Sequence, residues 1–439
     1  MRIETISLNK WIDPELIARH LAKKFGQNGL AWLDSDGNEN GEYTIIGVKP
    51  RKIIQTRDIK NLNKNNNPFD NLKKIDDGFW IGWLSYEAGA YIEPKNPWRK
   101  SNIATLWIAS YDPIIKCNLI KKEIIIEGTN TQELMNYKFI INHINVEEEK
   151  IAVKKDLKFD FSKINLKRMS TEFQENILKI KKLISIGDIF QANLTTKCEI
   201  EAADFYNPLD VYSKIRSKLR APFGGIIINN FDNCNEAVLS TSPERFIKID
   251  DNNFVESRPI KGTRCRAENL NQDALNAIDL ITNEKDRAEN IMIVDLIRND
   301  LSKVCETGSI TVPEILKLES FLKVHHLTSI IRGKLQKNKT WIDLLKACWP
   351  GGSITGAPKL RSCQRLYEIE DCERGPYCGS FIKLSWNGEF DSNILIRSFL
   401  IKNKTIKIHA GCGIVSDSNP DLETEELKWK LLPLIDSLR

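Results

Sequence analysis

One lysine, Lys261, stands between Pro259 and Gly262 with an arginine three residues to either side, in Glu256-Ser257-Arg258-Pro259-Ile260-Lys261-Gly262-Thr263-Arg264. Pro259 fixes its own φ, and Gly262 lets the chain turn and come close to a ligand. An ammonium group set between positive neighbours and partly buried is disfavoured relative to the free amine. A lysine whose pKa falls from about 10.4 toward ~7–8 becomes a nucleophile. The same residues would also serve as an exposed basic turn. This stretch alone leaves both readings open.

Two other stretches carry carboxylates at helical spacing. Asn283-Glu284-Lys285-Asp286-Arg287-Ala288-Glu289-Asn290 opens a helix that continues through Leu296, and Asp286 and Glu289, three apart, share one face. Asn419-Pro420 is a cap and first turn for a second helix, on which Glu423, Glu426 and Lys430 recur at spacings of three and four. Taken singly, each helix needs no ligand, since acids in a first turn favour the dipole and Glu426 with Lys430 is an ordinary i,i+4 pair. Converging, the two faces could hold Mg2+, which takes one or two carboxylates and completes its shell with water and substrate oxygens. Trp349-Pro350-Gly351-Gly352-Ser353-Ile354-Thr355-Gly356-Ala357-Pro358-Lys359 is either a plain turn or a concavity of backbone N–H groups suited to an anion. Arg397 ends an apolar run that reads as a strand, where a buried guanidinium needs a partner or an anionic ligand.

The elements that must position these residues fall into two halves. From residue 1 to 145, strand-like runs dominate, such as Tyr43–Val48, Phe79–Leu84 and Lys122–Ile126. Polar turns including 34–38 and 61–67 separate them, and helices are expected at Asp13–Phe25 and Thr131–Asn145. Residues 146–168 are charged and read as a connection, and residues 169–439 form the second half. There, a helix is expected from Thr171 to Ile186, with a Thr171–Gln174 capping box and Phe173, Ile177, Leu178, Ile180 and Ile184 on its apolar face. Gly187-Asp188 stops it, and a strand follows over 189–195.

Composition excludes several classes. With 64 basic and 59 acidic residues the net charge is +5, which does not argue for a nucleic-acid binder. No apolar run spans a bilayer and no secretory signal is visible. The 10 cysteines are scattered without a Cys-x-x-Cys pair, which fits reduced thiols and a cytoplasmic location better than structural zinc or a disulfide framework. Gly351–Gly356 has P-loop spacing, but Ala357 stands where the lysine must be, and Gly411-Cys412-Gly413 lacks the third glycine of a dinucleotide fingerprint.

Taken together and in this order, these segments resemble the chorismate-utilising enzymes, and within them the aminodeoxychorismate synthases (component I). The resemblance is carried by GDIFQANL (187–194), STSPERF (240–246), ESRPIKGTR (256–264), EKDRAENIMIVDLIRNDLSKV (284–304), VHHLTS (324–329), PGGSITGAPK (350–359), PYCGS (376–380), DSNILIRSF (391–399) and AGCGIVSDSNP (410–420). The first half matches more weakly, chiefly at GWLSYEAG (82–89).

The resemblance implies an α+β fold: a two-sheet β-sandwich core with flanking helices, an N-terminal β-rich domain over 1–145 and a chorismate-binding catalytic domain over 169–439. It implies Mg2+ held by Glu289 and Glu426 with Asp286 and Glu423 assisting. Chorismate would be bound by Gln191, Gly262, Thr263, His326, Thr355, Tyr377, Arg397, Gly411, Gly413 and Lys430. Lys261 would attack ring C2, and Glu244 would protonate the departing C4 hydroxyl. Family members that add water carry a base lysine where this chain has Gln191, and anthranilate synthases typically carry alanine where it has Lys261. The implied product is 4-amino-4-deoxychorismate, with ammonia supplied by a separate glutamine amidotransferase subunit. Anthranilate formation is the alternative. Cys265 and Cys412 depart from the family pattern, and Leu33-Asp34-Ser35 leaves a tryptophan pocket undecided.

Overall fold

The computed structural model describes residues 2–38, 41–57, 66–147, 157–202, 206–231, 234–321 and 324–439. Two large antiparallel sheets form the core. The first, of twelve strands, runs from Glu4–Ser7 through Glu123–Gly128, Ile114–Asn118, Tyr43–Gly47 and Ala31–Asp34 to Phe223–Asn229, Glu236–Ser242, Ser398–Lys402, Thr405–Ile414, Gln191–Ala202 and Gly356–Ala357, with Phe159–Asp160 paired beside Gln191–Ala202. The second, of ten, runs from Ile260–Cys265 and Val324–Lys334 through Phe254–Ser257, Arg245–Ile249, Phe390–Asn393 and Ser380–Leu384 to Phe79–Leu84, Leu106–Tyr111 and Lys52–Thr56. Thr311–Ser320 pairs with Val324–Lys334 off this path.

Side chains alternate across each strand, and that alternation builds two cores. Ile226 and Ile228 face one core and Ile227 the other, as do Ala237 and Leu239 against Val238. One face of the first sheet packs on the second sheet. Its other face is covered by the helices Pro14–Phe25, Thr131–Asn142, Leu166–Ser185, Pro208–Leu219 and Pro420–Leu438.

The charged stretch at 146–168 divides the sequence, while both sheets draw strands from either side of it. Ala31–Asp34 pairs with Phe223–Asn229, and Phe79–Leu84 with Ser380–Leu384. Residues 148–156 of that stretch and 61–65 of the asparagine-rich turn lie outside the described residues.

The helix expected from Thr171 starts at Leu166. Asn165 caps it, accepting from the Arg168 N–H at 3.0 Å, and the Thr171 hydroxyl donates back to the Lys167 carbonyl instead of forming a capping box. Leu178 is exposed, while Phe173, Ile177 and Ile180 are buried on the apolar face and Ile184 packs partly buried against the same core. Gly187 ends the segment at φ 74°, a conformation that favours glycine. No helix among the described residues is long and apolar enough to cross a membrane.

Candidate active site

The acidic helix spans Glu284–Ser302, and Asn283 caps it by accepting from the Asp286 N–H at 2.9 Å. Its rotation is set by Asn290, fully buried against the strand Val324–Lys334. The Asn290 amide donates to the Leu327 carbonyl at 3.2 Å and accepts from the Ser329 hydroxyl at 2.6 Å. The C-terminal helix starts at Pro420, with Asn419 accepting from the N–H groups of Asp421 and Leu422.

The two acidic faces converge. Lys285 pairs with Glu423 and lies 4.0 Å from Glu289 Oε1. Burial pushes the carboxyls of Asp286 and Glu289 up, and the Glu426 charge adds to both shifts. Burial would raise Glu426 too, but Lys430, 2.8 Å away, holds it below its ordinary value. Cys412 Sγ and carboxylate oxygens of Glu423 and Glu426 lie within 4.8 Å of one another. Glu423 Oε2 is buried with no hydrogen-bond partner among the described residues. Carboxylate oxygens with an unsatisfied buried lone pair fit a hard divalent cation.

Lys261 lies on the edge strand Ile260–Cys265. Pairing with Val324–Lys334 slips between Ile260 and Thr263, and Gly262 sits in that irregularity at φ 78°. A Cβ at Gly262 would come 2.7 Å from Leu280 Cδ1 and 3.0 Å from Asp286 Cγ, so the strand reaches the acidic helix only because this residue is glycine. Lys261 Nζ donates to the Ser353 carbonyl at 2.9 Å. Glu244 shares that corner, accepting from the Ser353 hydroxyl and the Ile260 N–H. Burial pushes its carboxyl up to about 7, against the opposing charge of Lys261.

The field around Lys261 is not the one expected from its flanking arginines. Arg258 pairs with Glu256 at 2.6 Å, and Arg264 with Asp279 and, at 3.1 Å, with Asp286. Each arginine is neutralised by its own carboxylate, and the charges that act together with Lys261 are those of Glu244, Glu289 and Glu426.

Gln191 opens the strand Gln191–Ala202, with its Oε1 buried and unpartnered among the described residues. Its Nε2 and Glu289 Oε2 flank Gly413, where a Cβ would come within 2.8 and 3.1 Å of them. The Gly411 carbonyl accepts from Lys430 Nζ at 2.9 Å. These four residues therefore join the carboxylate cluster.

Thr263 and His326 form a second group, with Thr263 Oγ1 2.8 Å from His326 Nδ1. Burial, assisted by the charge of Arg397, pushes His326 down to about 3, so its ring is neutral. Arg397 itself is not on a strand as expected. It precedes Ser398–Lys402 in a turn at φ 49°, where its carbonyl accepts from the Thr241 N–H and hydroxyl at 3.0 and 3.3 Å. The turn takes it off the sheet ladder, and no carboxylate acts on its guanidinium among the described residues. An anion is the partner it lacks.

Thr355 and Tyr377 are less directly engaged. The Thr355 hydroxyl donates back to the Gly351 carbonyl at 2.9 Å, which leaves it only acceptor capacity. Tyr377 is buried, its ring stacked on His409 at 4.9 Å. The sequence reading gave no side-chain role in the site to Ser353, Lys285 or Cys412. Lys285 had a signal, its spacing of four from Glu289, but the other two reach the site only through long-range pairing. Arg374 was missed as well. It donates to the carbonyls of Ile354 and Asn193 at 2.8 Å each and pairs with Glu370 at 2.6 Å, fixing the glycine-rich turn.

A family model described as chorismate binding enzyme matches residues 30–436. The Arabidopsis thaliana protein named aminodeoxychorismate synthase, chloroplastic, is 42% identical over 261 residues, 59% of this chain and 28% of that protein. The matched stretch thus spans less than a third of that relative's length. Anthranilate synthase component 1 of Lactococcus lactis is 32% identical over 415 residues, 89% of this chain and 90% of that one. The crystal structure of anthranilate synthase component I from Streptococcus pneumoniae aligns with a TM-score of 0.72 at 26% identity, covering 91% of this chain and 92% of that one.

Proposed function

The chain belongs to the chorismate-binding enzymes, and we propose that it aminates chorismate at ring carbon 4, giving 4-amino-4-deoxychorismate. The observation that carries this reading is Lys261, a primary amine facing a carboxylate cluster with the proton-holding Glu244 beside it. The similarity to the Arabidopsis protein supports it.

Glu289 and Glu426, with Asp286 and Glu423, would hold Mg2+, which when bound supplies positive charge for the substrate's ring carboxylate. Arg397, with Thr263 and His326, suits a second carboxylate. Gly262, Gly411, Gly413, Thr355, Tyr377 and Lys430 would complete the substrate's surroundings.

As substrate enters, Lys261 gives a proton to Glu244, whose carboxyl is predisposed to hold one by burial. The free amine attacks ring C2, the ring double bonds shift, and the C4–O bond breaks. Glu244 returns the proton, so the hydroxyl leaves as water. Ammonia then adds at C4, the double bonds shift back and the C2–N bond breaks, with the proton lost by the new amine going to Lys261. Gln191, a neutral amide, offers no base for adding water at C2.

The ammonia source is a separate glutamine amidotransferase subunit, consistent with the component numbering of the Lactococcus relative. Buried thiols such as those of Cys117, Cys348 and Cys378 suit a reducing compartment such as the cytoplasm.

Incubating the purified chain with chorismate, Mg2+ and an ammonium salt tests the product. The expected result is 4-amino-4-deoxychorismate, which becomes p-aminobenzoate only after a lyase is added. Fluorescent anthranilate and pyruvate without a lyase would instead establish the anthranilate reading, which similarity to the Lactococcus and Streptococcus proteins favours.

A further inference from the structure

The carboxylate cluster contains one atom that a hard cation does not use. Cys412 stands on the strand Thr405–Ile414, opposite Leu194 and 1% exposed. Its Sγ and carboxylate oxygens of Glu423 and Glu426 are mutually within 4.8 Å, the spread of a single coordination sphere. The thiol donates weakly to the Glu423 carbonyl at 3.5 Å, and Lys430 Nζ lies 4.0 Å from the sulfur.

Mg2+ takes oxygen ligands and leaves a thiol idle. Zn2+ accepts thiolate and carboxylate together in tetrahedral sets, and sulfur ligands select thiophilic ions. A second observation points to a cation independently of this spacing. Glu423 is only 2% exposed, and its Oε2 is buried with no hydrogen-bond partner among the described residues. Orphaned buried lone pairs of this kind call for a ligand.

We infer that Cys412, Glu423 and Glu426 form a site for a thiophilic divalent cation of the Zn2+ class, in competition with the hard cation proposed for the same carboxylates. On binding, the S–H bond breaks, its proton passes to solvent and the S–metal bond forms. The ion takes over from Lys285 as the counter-charge of Glu423. The inference rests on the cluster being a cation site, and not on which product is released.

The test is equilibrium dialysis of the metal-stripped full chain against Zn2+ without chorismate, for wild type, Cys412→Ser and Cys412→Ala. Co2+ serves as a spectroscopic probe. Wild type is expected to bind Zn2+ and to show a thiolate-to-Co2+ charge-transfer band that excess Mg2+ removes. Both variants are expected to lose that band and about tenfold or more in Zn2+ affinity, while Mg2+ affinity stays within about twofold. Equal Zn2+ binding by the folded variants, or a wild-type Co2+ spectrum with no thiolate band that Mg2+ displaces, overturns the inference even if the cluster holds Mg2+. Should neither variant fold, the displaceable band in wild type decides alone.

Discussion

Lys261 and Glu244 meet at Ser353, one through its carbonyl and the other through its hydroxyl, so a single residue holds donor and acceptor in register. Glu244 must start as the carboxylate to take the Lys261 proton, and because it holds a proton of its own up to about 7, the reaction loses rate below that pH. With free ammonia held constant, kcat/KM for chorismate should rise with pH through about 7, and a profile flat across that pH would count against the role. The same shift bears on stability. The folded state binds this proton more tightly than the unfolded chain, so the contribution is greatest in acid and declines as pH rises toward and through about 7, by a total of order 3 kcal/mol. Urea unfolding of Glu244→Gln at pH 5 and pH 8 should show a smaller loss across that interval than wild type. Lys261 was legible in the sequence because Pro259 and Gly262 frame it. Its electrostatic surroundings were not, because Arg258 before the irregular edge strand and Arg264 on it find different partners, and the acids that act on Lys261 come from distant segments.

Two glycines set how closely the elements approach, and they fail differently. Gly262 combines a left-handed φ with Leu280 and Asp286 against its missing Cβ. Gly262→Ala should cost about 1–3 kcal/mol in denaturant unfolding and displace the acidic helix from Lys261. At Gly413 the nearest atoms are the ends of Gln191 and Glu289, which can move. Gly413→Ala should therefore keep near-wild-type stability while weakening Mg2+ binding, read by calorimetry with the metal alone. A large stability loss would place its role in the fold. Helix starts were readable wherever one cap stood unopposed, as at Asn283 and Asn419. Thr171 misled because Asn165, a better cap, lay one and a half turns upstream inside a charged stretch with no apolar rhythm. The apolar run before Arg397 reads as strand, but the chain turns there at φ 49°. Hydrophobicity alone does not report such a turn.

Across the whole molecule, segments far apart in the chain complete each sheet and each wall of the site. Arg374 ties several of them together: its N–H donates to Glu87 at 2.9 Å and its guanidinium to Glu370, Ile354 and Asn193. Removing one partner of such a buried pair strands the other charge, so Arg374→Ala should destabilise by about 3–5 kcal/mol in denaturant unfolding. Periodicity in the sequence told which face of a strand is apolar, but not that Ala31–Asp34 would lie beside Phe223–Asn229. The two-sheet architecture came instead from the family resemblance carried by residues 187–420. Every chemical step depends on the Lys261 amine bonding to the ring, and intact-protein mass spectrometry of the chain with chorismate and Mg2+, before ammonia is added, reads that bond directly. The expected species is the chain plus chorismate less one water, with fragmentation placing the added mass on Lys261 and no such species from Lys261→Ala. Product formed at the wild-type rate by Lys261→Ala, or an unmodified wild-type chain that releases product at once when ammonia is supplied, would contradict it.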